Sequence, residues 1–138
     1  MSAFVADASV AAKWFLREPD TPKAMDLLRT GAKVFAPAFL RVELAAAIVR
    51  RFRNGGLNIE DARERLIEAA DAIAEPRISF FSDTELLPRA SSVALDIRHP
   101  LQDCLYIACA ERVQCDLITV DPKFLARAAP VFPFVRAL

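Results

Sequence analysis

The stretch Phe4-Val5-Ala6-Asp7 is a short apolar run that ends in an aspartate, and Leu117-Ile118-Thr119-Val120-Asp121 repeats this pattern near the other end of the chain. Runs that are apolar throughout are typical of strands covered on both faces, as in parallel sheets. Ligands bind beyond the carboxyl ends of the strands in such sheets. We therefore expect Asp7 and Asp121 to point into one crevice, provided that their strands are neighbours.

Short apolar runs and longer helical patterns alternate between these two strands. Further strands are predicted at residues 34–36, 78–81 and 131–135, the last edge-like because Pro133 cannot donate to a ladder. One helix is predicted to begin with a capping box from Ser82 to Glu85 and to reach residue 97. The other helices are predicted at residues 9–17, 21–29, 39–53, 59–73, 101–112 and 122–128. This alternation predicts an α/β protein with a parallel sheet, helices on both faces and a single domain spanning residues 1–138.

The composition excludes a disordered chain and gives no support from bulk charge for nucleic-acid binding. The 138 residues are 54% hydrophobic, and 18 basic residues balance 18 acidic ones, so a nucleic-acid surface would have to be local. The three cysteines match no disulfide framework and no zinc motif, as expected in a reduced cytosol. The first residues lack the basic start of a secretory signal, and no segment approaches a membrane span, so we expect a cytoplasmic protein.

Two further acids are predicted to lie near the same crevice. Glu43 falls at the border of the apolar stripe of its helix, beside three alanines, and Asp103 occupies the first turn of a very apolar helix. Each acid also has a purely structural explanation: Asp7 and Asp121 as helix caps, Glu43 in a buried pair with an arginine, and Asp103 as a partner of the helix dipole.

The four acids together suggest a metal site. Four carboxylates at one crevice would repel one another, and a bound divalent cation resolves that repulsion. Mg²⁺ and Mn²⁺ take carboxylate oxygens and water, and the set contains no histidine or cysteine that would favour zinc. Metal sites of this kind suit phosphodiester hydrolysis.

Four segments of the chain resemble PIN-domain nucleases, and more closely the VapC toxins of bacterial toxin–antitoxin pairs. These segments are residues 5–9, 37–43, 99–108 and 117–121. The resemblance implies a three-layer α/β/α fold with a five-stranded parallel sheet of order 3-2-1-4-5. It implies a Mg²⁺- or Mn²⁺-dependent endoribonuclease that is the toxin of a type II toxin–antitoxin system. It also implies catalytic, metal-binding roles for Asp7, Glu43, Asp103 and Asp121, with supporting hydroxyls at Ser9 and Thr119.

An RNA substrate needs cations near the acids, and a protein partner needs an apolar surface. The candidates for RNA binding are Lys13, Arg17, Arg41, Arg50 and Lys123, with Arg98 and His99 as further cations and a loop role favoured for His99. Trp14 and Phe15 are apolar beyond what one buried stripe needs. They are therefore candidates for binding an antitoxin or a second copy of the chain in a homodimer.

Two other functions compete with the nuclease. One is a receiver-type phosphoryl-transfer domain in which Asp83 would be the phosphoacceptor, but the chain has no second acid beside Asp7 and only Arg136 after the last strand. The other is a catalytically silent PIN-like module that binds RNA or protein. The complete set of four acids counts against that second alternative.

Overall fold

A five-stranded sheet is the centre of the fold, which a computed structural model describes for residues 1–138. All strand pairs are parallel, and the order β3-β2-β1-β4-β5 confirms the prediction. The strands are β1 (Ala3–Ala6), β2 (Lys33–Pro37), β3 (Ile78–Phe81), β4 (Asp116–Thr119) and β5 (Val135–Ala137).

Helices cover both faces of this sheet. Phe4, Val5 and Ala6 of β1 are at most 1% exposed, and successive strand residues point to opposite faces, so neither face of the central strand meets solvent. The helices are α1 (Ala8–Ala11), α2 (Thr21–Arg29), α3 (Leu40–Arg53), α4 (Ile59–Ala72), α5 (Asp83–Ile97), α6 (Leu101–Val113) and α7 (Pro122–Ala128). None of them combines the length and hydrophobicity that crossing a bilayer requires.

Helix α6 is the main helical partner of the sheet. It contacts β1, β2 and β4, and every residue from 104 to 110 is buried. A helix that is apolar around its whole circumference belongs inside a protein. Its first turn therefore lies close to the carboxyl ends of the central strands.

The strand order also decides between two of the competing functions. In a receiver-type sheet, of order 2-1-3-4-5, the third strand lies beside the first. Here β3 is an edge strand, separated from β1 by β2, and the carboxylate of Asp83 accepts a hydrogen bond from Phe39 N at 3.0 Å. The receiver-type alternative is therefore wrong.

The first predicted helix is shorter than expected. Helix α1 ends at Ala11, and a single 3-10 turn spans Ala12–Trp14. The chain then folds back on itself, because Lys13 turns inward to bind Glu18 and Asp20, and the indole of Trp14 donates to Ala24 O at 2.9 Å. These contacts outweigh the helical pattern that the sequence continues to residue 17.

Two other local predictions are wrong. The fifth strand begins at Val135 and not at residue 131, because the backbone N–H groups of Val131 and Phe132 donate to Ala128 O and complete a turn after α7. Ser82 does precede α5, but its side chain forms no capping hydrogen bond, so the predicted capping box is absent.

Candidate active site

All four predicted acids line one cavity. Its volume is about 580 Å³, and it lies where β1 and β4 end. Asp7 follows β1 directly, and Asp121 follows β4 by one residue, so two neighbouring parallel strands deliver both carboxylates to the same edge of the sheet. Helices α3 and α6 contribute Glu43 and Asp103 from the sides.

Asp7 is the most buried of the four acids, with 4% of its surface exposed. Its Oδ1 accepts hydrogen bonds from Ser9 Oγ at 2.5 Å and from Val10 N at 3.2 Å, and its Oδ2 accepts one from Thr119 Oγ1 at 2.5 Å. The bond from Val10 N means that Asp7 also caps α1. The structure thus places both predicted hydroxyl residues against this carboxylate.

Burial raises the pKa of Asp7 from 3.8 to about 6. The three hydrogen bonds favour the charged form and act in the opposite direction, while the negative charge of Asp103 adds to the rise. Keeping Asp7 charged at neutral pH therefore costs stability.

The side chain of Glu43 is oriented by a tyrosine. It does not form the buried pair with an arginine that would have given it a purely structural role. Its Oε1 accepts a hydrogen bond from Tyr106 Oη at 2.6 Å. Burial raises the pKa of Glu43, the charges of Asp103 and Asp7 raise it further, and the hydrogen bond from Tyr106 lowers it. The three carboxylates of residues 7, 43 and 103 are thus within electrostatic reach of one another.

Asp103 has a histidine partner. Its Oδ2 lies 2.6 Å from His99 Nε2, and the imidazole stacks on the ring of Phe124 with centroids 5.1 Å apart. His99 does lie in the turn before α6, as the sequence indicated, and its ring also contacts one of the four acids directly. The sequence contained a signal for this contact, since residues 99 and 103 are four positions apart, the spacing of side chains that can meet on a helix.

Asp121 is a helix cap and a cavity residue at once. Its Oδ1 accepts hydrogen bonds from Lys123 N at 2.9 Å and Phe124 N at 3.2 Å, which caps α7. Its backbone N–H donates to Thr119 Oγ1 at 3.1 Å. Thr119 therefore connects the backbone of Asp121 to the carboxylate of Asp7.

The carboxylate oxygens of the cavity are suitable ligands for a hard, hydrated cation. Glu43 Oε2, Asp103 Oδ1 and Asp121 Oδ2 accept no hydrogen bond from the protein, so an oxygen of each is free for an ion or its water. No three acidic, histidine or cysteine side chains stand close enough to form a ready-made metal cage. Mg²⁺ needs none, because it keeps several waters and binds proteins through one or two carboxylates.

The fold places only some of the predicted RNA-binding cations in the cavity lining. Arg50 lines the cavity, as does its neighbour Arg51. Lys13 also lines it, but its side chain is only 6% exposed and is neutralised by Glu18 and Asp20. Lys13 is therefore no longer a candidate for RNA binding.

The remaining predicted cations lie outside the cavity lining. Arg41 covers the ring of Phe80 at 3.6 Å, and Arg17 lines a separate surface depression. Lys123 is exposed at the start of α7, two residues after Asp121. Of these three, only Lys123 lies on a helix that one of the four acids caps.

Trp14 and Phe15, the predicted partner-binding residues, line a different pocket of about 250 Å³. Eight of its nine lining residues are hydrophobic, Met25 and Leu28 among them. The apolar surface that the sequence suggested is thus concave and distinct from the acidic cavity.

The raised pKa of Asp7 predicts that the metal-free protein loses stability as the pH rises. Between the unfolded value of 3.8 and the folded value of about 6, the folded protein binds more protons, so its free energy of unfolding falls as the pH rises through 6. Asp7→Asn removes this charge and should stabilise the protein in EDTA at neutral pH by about 2 kcal/mol.

Urea denaturation of both proteins between pH 4 and pH 8 measures this difference. The gain should shrink towards zero at the acid end, where Asp7 of the wild type is protonated. Asp71→Asn is a matched control, since Asp71 is an exposed aspartate on α4. A stability difference that does not change with pH would contradict the assignment.

Several solved structures share this fold, among them the following three. A chain of a toxin–antitoxin complex from Klebsiella pneumoniae has a TM-score of 0.59 and 14% identity, covering 96% of this chain and 94% of that chain. PAE2754 from Pyrobaculum aerophilum has a TM-score of 0.62 and 20% identity, covering 91% and 84%. A chain of VapBC2 from Rickettsia felis, solved bound to a DNA fragment from its promoter, has a TM-score of 0.64 and 10% identity, covering 99% and 98%.

At these identities the structural likeness shows the fold alone. Comparison with the curated proteins gave no match. The family comparison is independent of both results: the PIN domain family matches residues 4–130. The chain therefore belongs to the PIN domain family, a family of nucleases.

Proposed function

We propose that the protein is a Mg²⁺- or Mn²⁺-dependent endoribonuclease and the toxin of a type II toxin–antitoxin pair. The observation that carries this proposal is the single cavity lined by Asp7, Glu43, Asp103 and Asp121. Burial and the nearby charge of Asp103 raise the pKa of both Asp7 and Glu43, so keeping these two groups charged costs stability. A fold gains nothing from such an arrangement unless a cation offsets that cost.

In this proposal Asp7 and Asp103 hold the main ion, and Glu43 and Asp121 complete its surroundings or orient water. A bound divalent ion would supply positive charge at the scissile phosphate and lower the pKa of a water molecule. Asp7 Oδ2 accepts only one hydrogen bond and keeps a lone pair for the ion. Glu43, Asp103 and Asp121 each keep one oxygen that accepts no hydrogen bond from the protein.

The reaction would be hydrolysis of an RNA phosphodiester bond. The oxygen of water bonds to phosphorus, the bond from phosphorus to O3′ breaks, and the proton that the water loses is balanced by one gained at O3′. The products therefore carry 5′-phosphate and 3′-hydroxyl ends. Ser9 and Thr119 hold Asp7 in place through both of its oxygens. No single carboxylate is assigned as the general base.

Arg50 is the best-placed cation for the RNA backbone. It lines the cavity, its charge lowers the pKa of Glu43, and it forms no ion pair at salt-bridge distance, whereas Arg51 binds Glu18 at 2.9 Å. An unpaired guanidinium near an acidic cavity can offset the repulsion between phosphate and carboxylates. Lys123, which is exposed two residues after Asp121, is a second candidate.

The partner would be an antitoxin protein, and a homodimer is a further expectation. The fold likeness to chains of toxin–antitoxin complexes motivates the antitoxin, and the apolar pocket at Trp14 and Phe15 offers a surface for it. The three cysteines are all free, which agrees with a reducing, cytoplasmic location.

The proposal predicts that cleavage requires both the metal and Asp103. Purified protein should cut single-stranded RNA with Mn²⁺ or Mg²⁺ and not with EDTA, and the new 5′ ends should carry phosphate. Asp103→Asn should reduce the rate by about 100-fold or more, because one ligand carboxylate is lost. Circular dichroism should show an unchanged fold.

Expression of the same variant tests the toxin assignment. Asp103→Asn should abolish growth inhibition, and Asp96→Asn, an exposed aspartate of α5, should leave it intact. Cleavage by the Asp103→Asn protein at the wild-type rate would contradict the mechanism. RNA binding without cleavage by the wild type would instead favour the silent binding module.

The role of Arg50 predicts a selective loss of RNA affinity. Arg50→Gln should weaken binding of a labelled single-stranded RNA several-fold and reduce the salt dependence of binding by about 0.7 in the log–log slope. Arg53→Gln is the matched control, since Arg53 is an exposed arginine of the same helix that does not line the cavity. Fluorescence anisotropy with Ca²⁺ replacing Mg²⁺ measures both variants, and equal losses would contradict a specific role for Arg50.

A further inference from the structure

We propose that His99 and Tyr106 are positioning residues that hold Asp103 and Glu43 in their ion-binding orientation and thereby set the metal affinity of the cavity. This inference rests on the proposed function. Neither residue belongs to the four acids or their supporting hydroxyls. Each donates to one acid through a short, well-defined contact.

The ring of His99 is fixed on several sides. It stacks nearly parallel to Phe124, at an interplanar angle of 15°, and its side chain is only 9% exposed. Its backbone follows Arg98, which has a left-handed φ of 53°, and its N–H donates to Ala94 O at 3.2 Å. The guanidinium of Arg127 donates to the carbonyls of Ile97 and Arg98 and ties this turn to α7.

This fixed ring determines which oxygen of Asp103 is free. An ionised carboxylate can only accept hydrogen bonds, so His99 Nε2 is the donor to Asp103 Oδ2. Oδ1 of the same carboxylate then has no protein partner. The histidine thus selects one rotamer of Asp103 and leaves one oxygen for the cavity.

Tyr106 acts on Glu43 in the same way. Its side chain is fully buried, and its hydroxyl makes one hydrogen bond, to Glu43 Oε1 at 2.6 Å. A phenylalanine would fill nearly the same volume, so the hydroxyl is not needed for packing. Its effect is to restrain a long, flexible glutamate with Oε2 free.

Both supports belong to α6 or to the turn that leads into it. Tyr106 lies one turn after Asp103 on α6, and His99 lies in the turn before that helix, separated from it by Pro100. Helix α6 and this turn thus provide one acid, the support of that acid and the support of an acid on α3. Groups that orient metal ligands typically change metal affinity by about 10- to 100-fold when they are removed.

The test is Mn²⁺ affinity, measured by isothermal titration calorimetry on the full chain. His99→Phe keeps an aromatic ring against Phe124 but removes the donor, and Tyr106→Phe removes only the hydroxyl. Each should weaken Mn²⁺ binding by about tenfold or more. His99→Gln, whose amide can donate from a similar position, should recover much of the lost affinity.

Arg89→Gln is the matched control. Arg89 donates from α5 to the carboxylate of Glu111, an acid on α6 that does not line the cavity. Its removal should leave Mn²⁺ affinity unchanged, although it also deprives an α6 carboxylate of its donor. A loss of affinity equal to that of His99→Phe would mean that the effect is general destabilisation of α6, and would overturn the inference.

The possible failures are distinguishable. If the wild type does not bind Mn²⁺, the proposed function fails and the inference falls with it. If the wild type binds Mn²⁺ and both phenylalanine variants bind it equally well, the proposed function stands and the inference is wrong. If one variant does not fold, as judged by circular dichroism, the other variant and the recovery by His99→Gln decide.

Discussion

Asp7 carries a charge that the protein must keep at the edge of its own core. The residue follows the central strand β1, and its neighbours Ser9, Val10 and Thr119 give it three hydrogen bonds. These bonds reduce the cost of burying the carboxylate without removing it, because its pKa remains raised. The other three acids line the same cavity as this only partly compensated charge.

The fold concentrates charge at this point through its topology. Because β1 and β4 are parallel neighbours, the residues that follow them leave the sheet at the same edge. The buried helix α6 brings Asp103 to that edge, and α3 brings Glu43. Four carboxylates from four parts of the chain thus line one cavity. Their proximity results from the strand order as well as from the residue types.

Asp7 and Asp121 were predictable because strand ends can be located from apolar runs, and the parallel sheet then places them together. Glu43 was predictable from its position at the border of a helical stripe. The strand order followed from the family resemblance and is confirmed by the structure. In each case the relevant information is local in sequence or belongs to the family.

What the sequence did not predict depends on contacts that form only in the folded chain. The first helix ends early because Lys13 and Trp14 bind residues that come later in the chain. Tyr106 escaped notice because its partner, Glu43, is 63 residues away, and no periodicity reports such a pair. The contact of His99 with Asp103 was not predicted, because the stacking on Phe124 that fixes its ring appears only in the folded chain.

The central claim is that these acids share a hard cation, and anomalous diffraction from crystals grown with Mn²⁺ tests it most directly. The account predicts an anomalous peak inside the cavity, about 2.0–2.3 Å from an oxygen of Asp7 or Asp103, with water completing the coordination. A cavity without Mn²⁺ at saturating concentration, or an ion held elsewhere on the molecule, would contradict it.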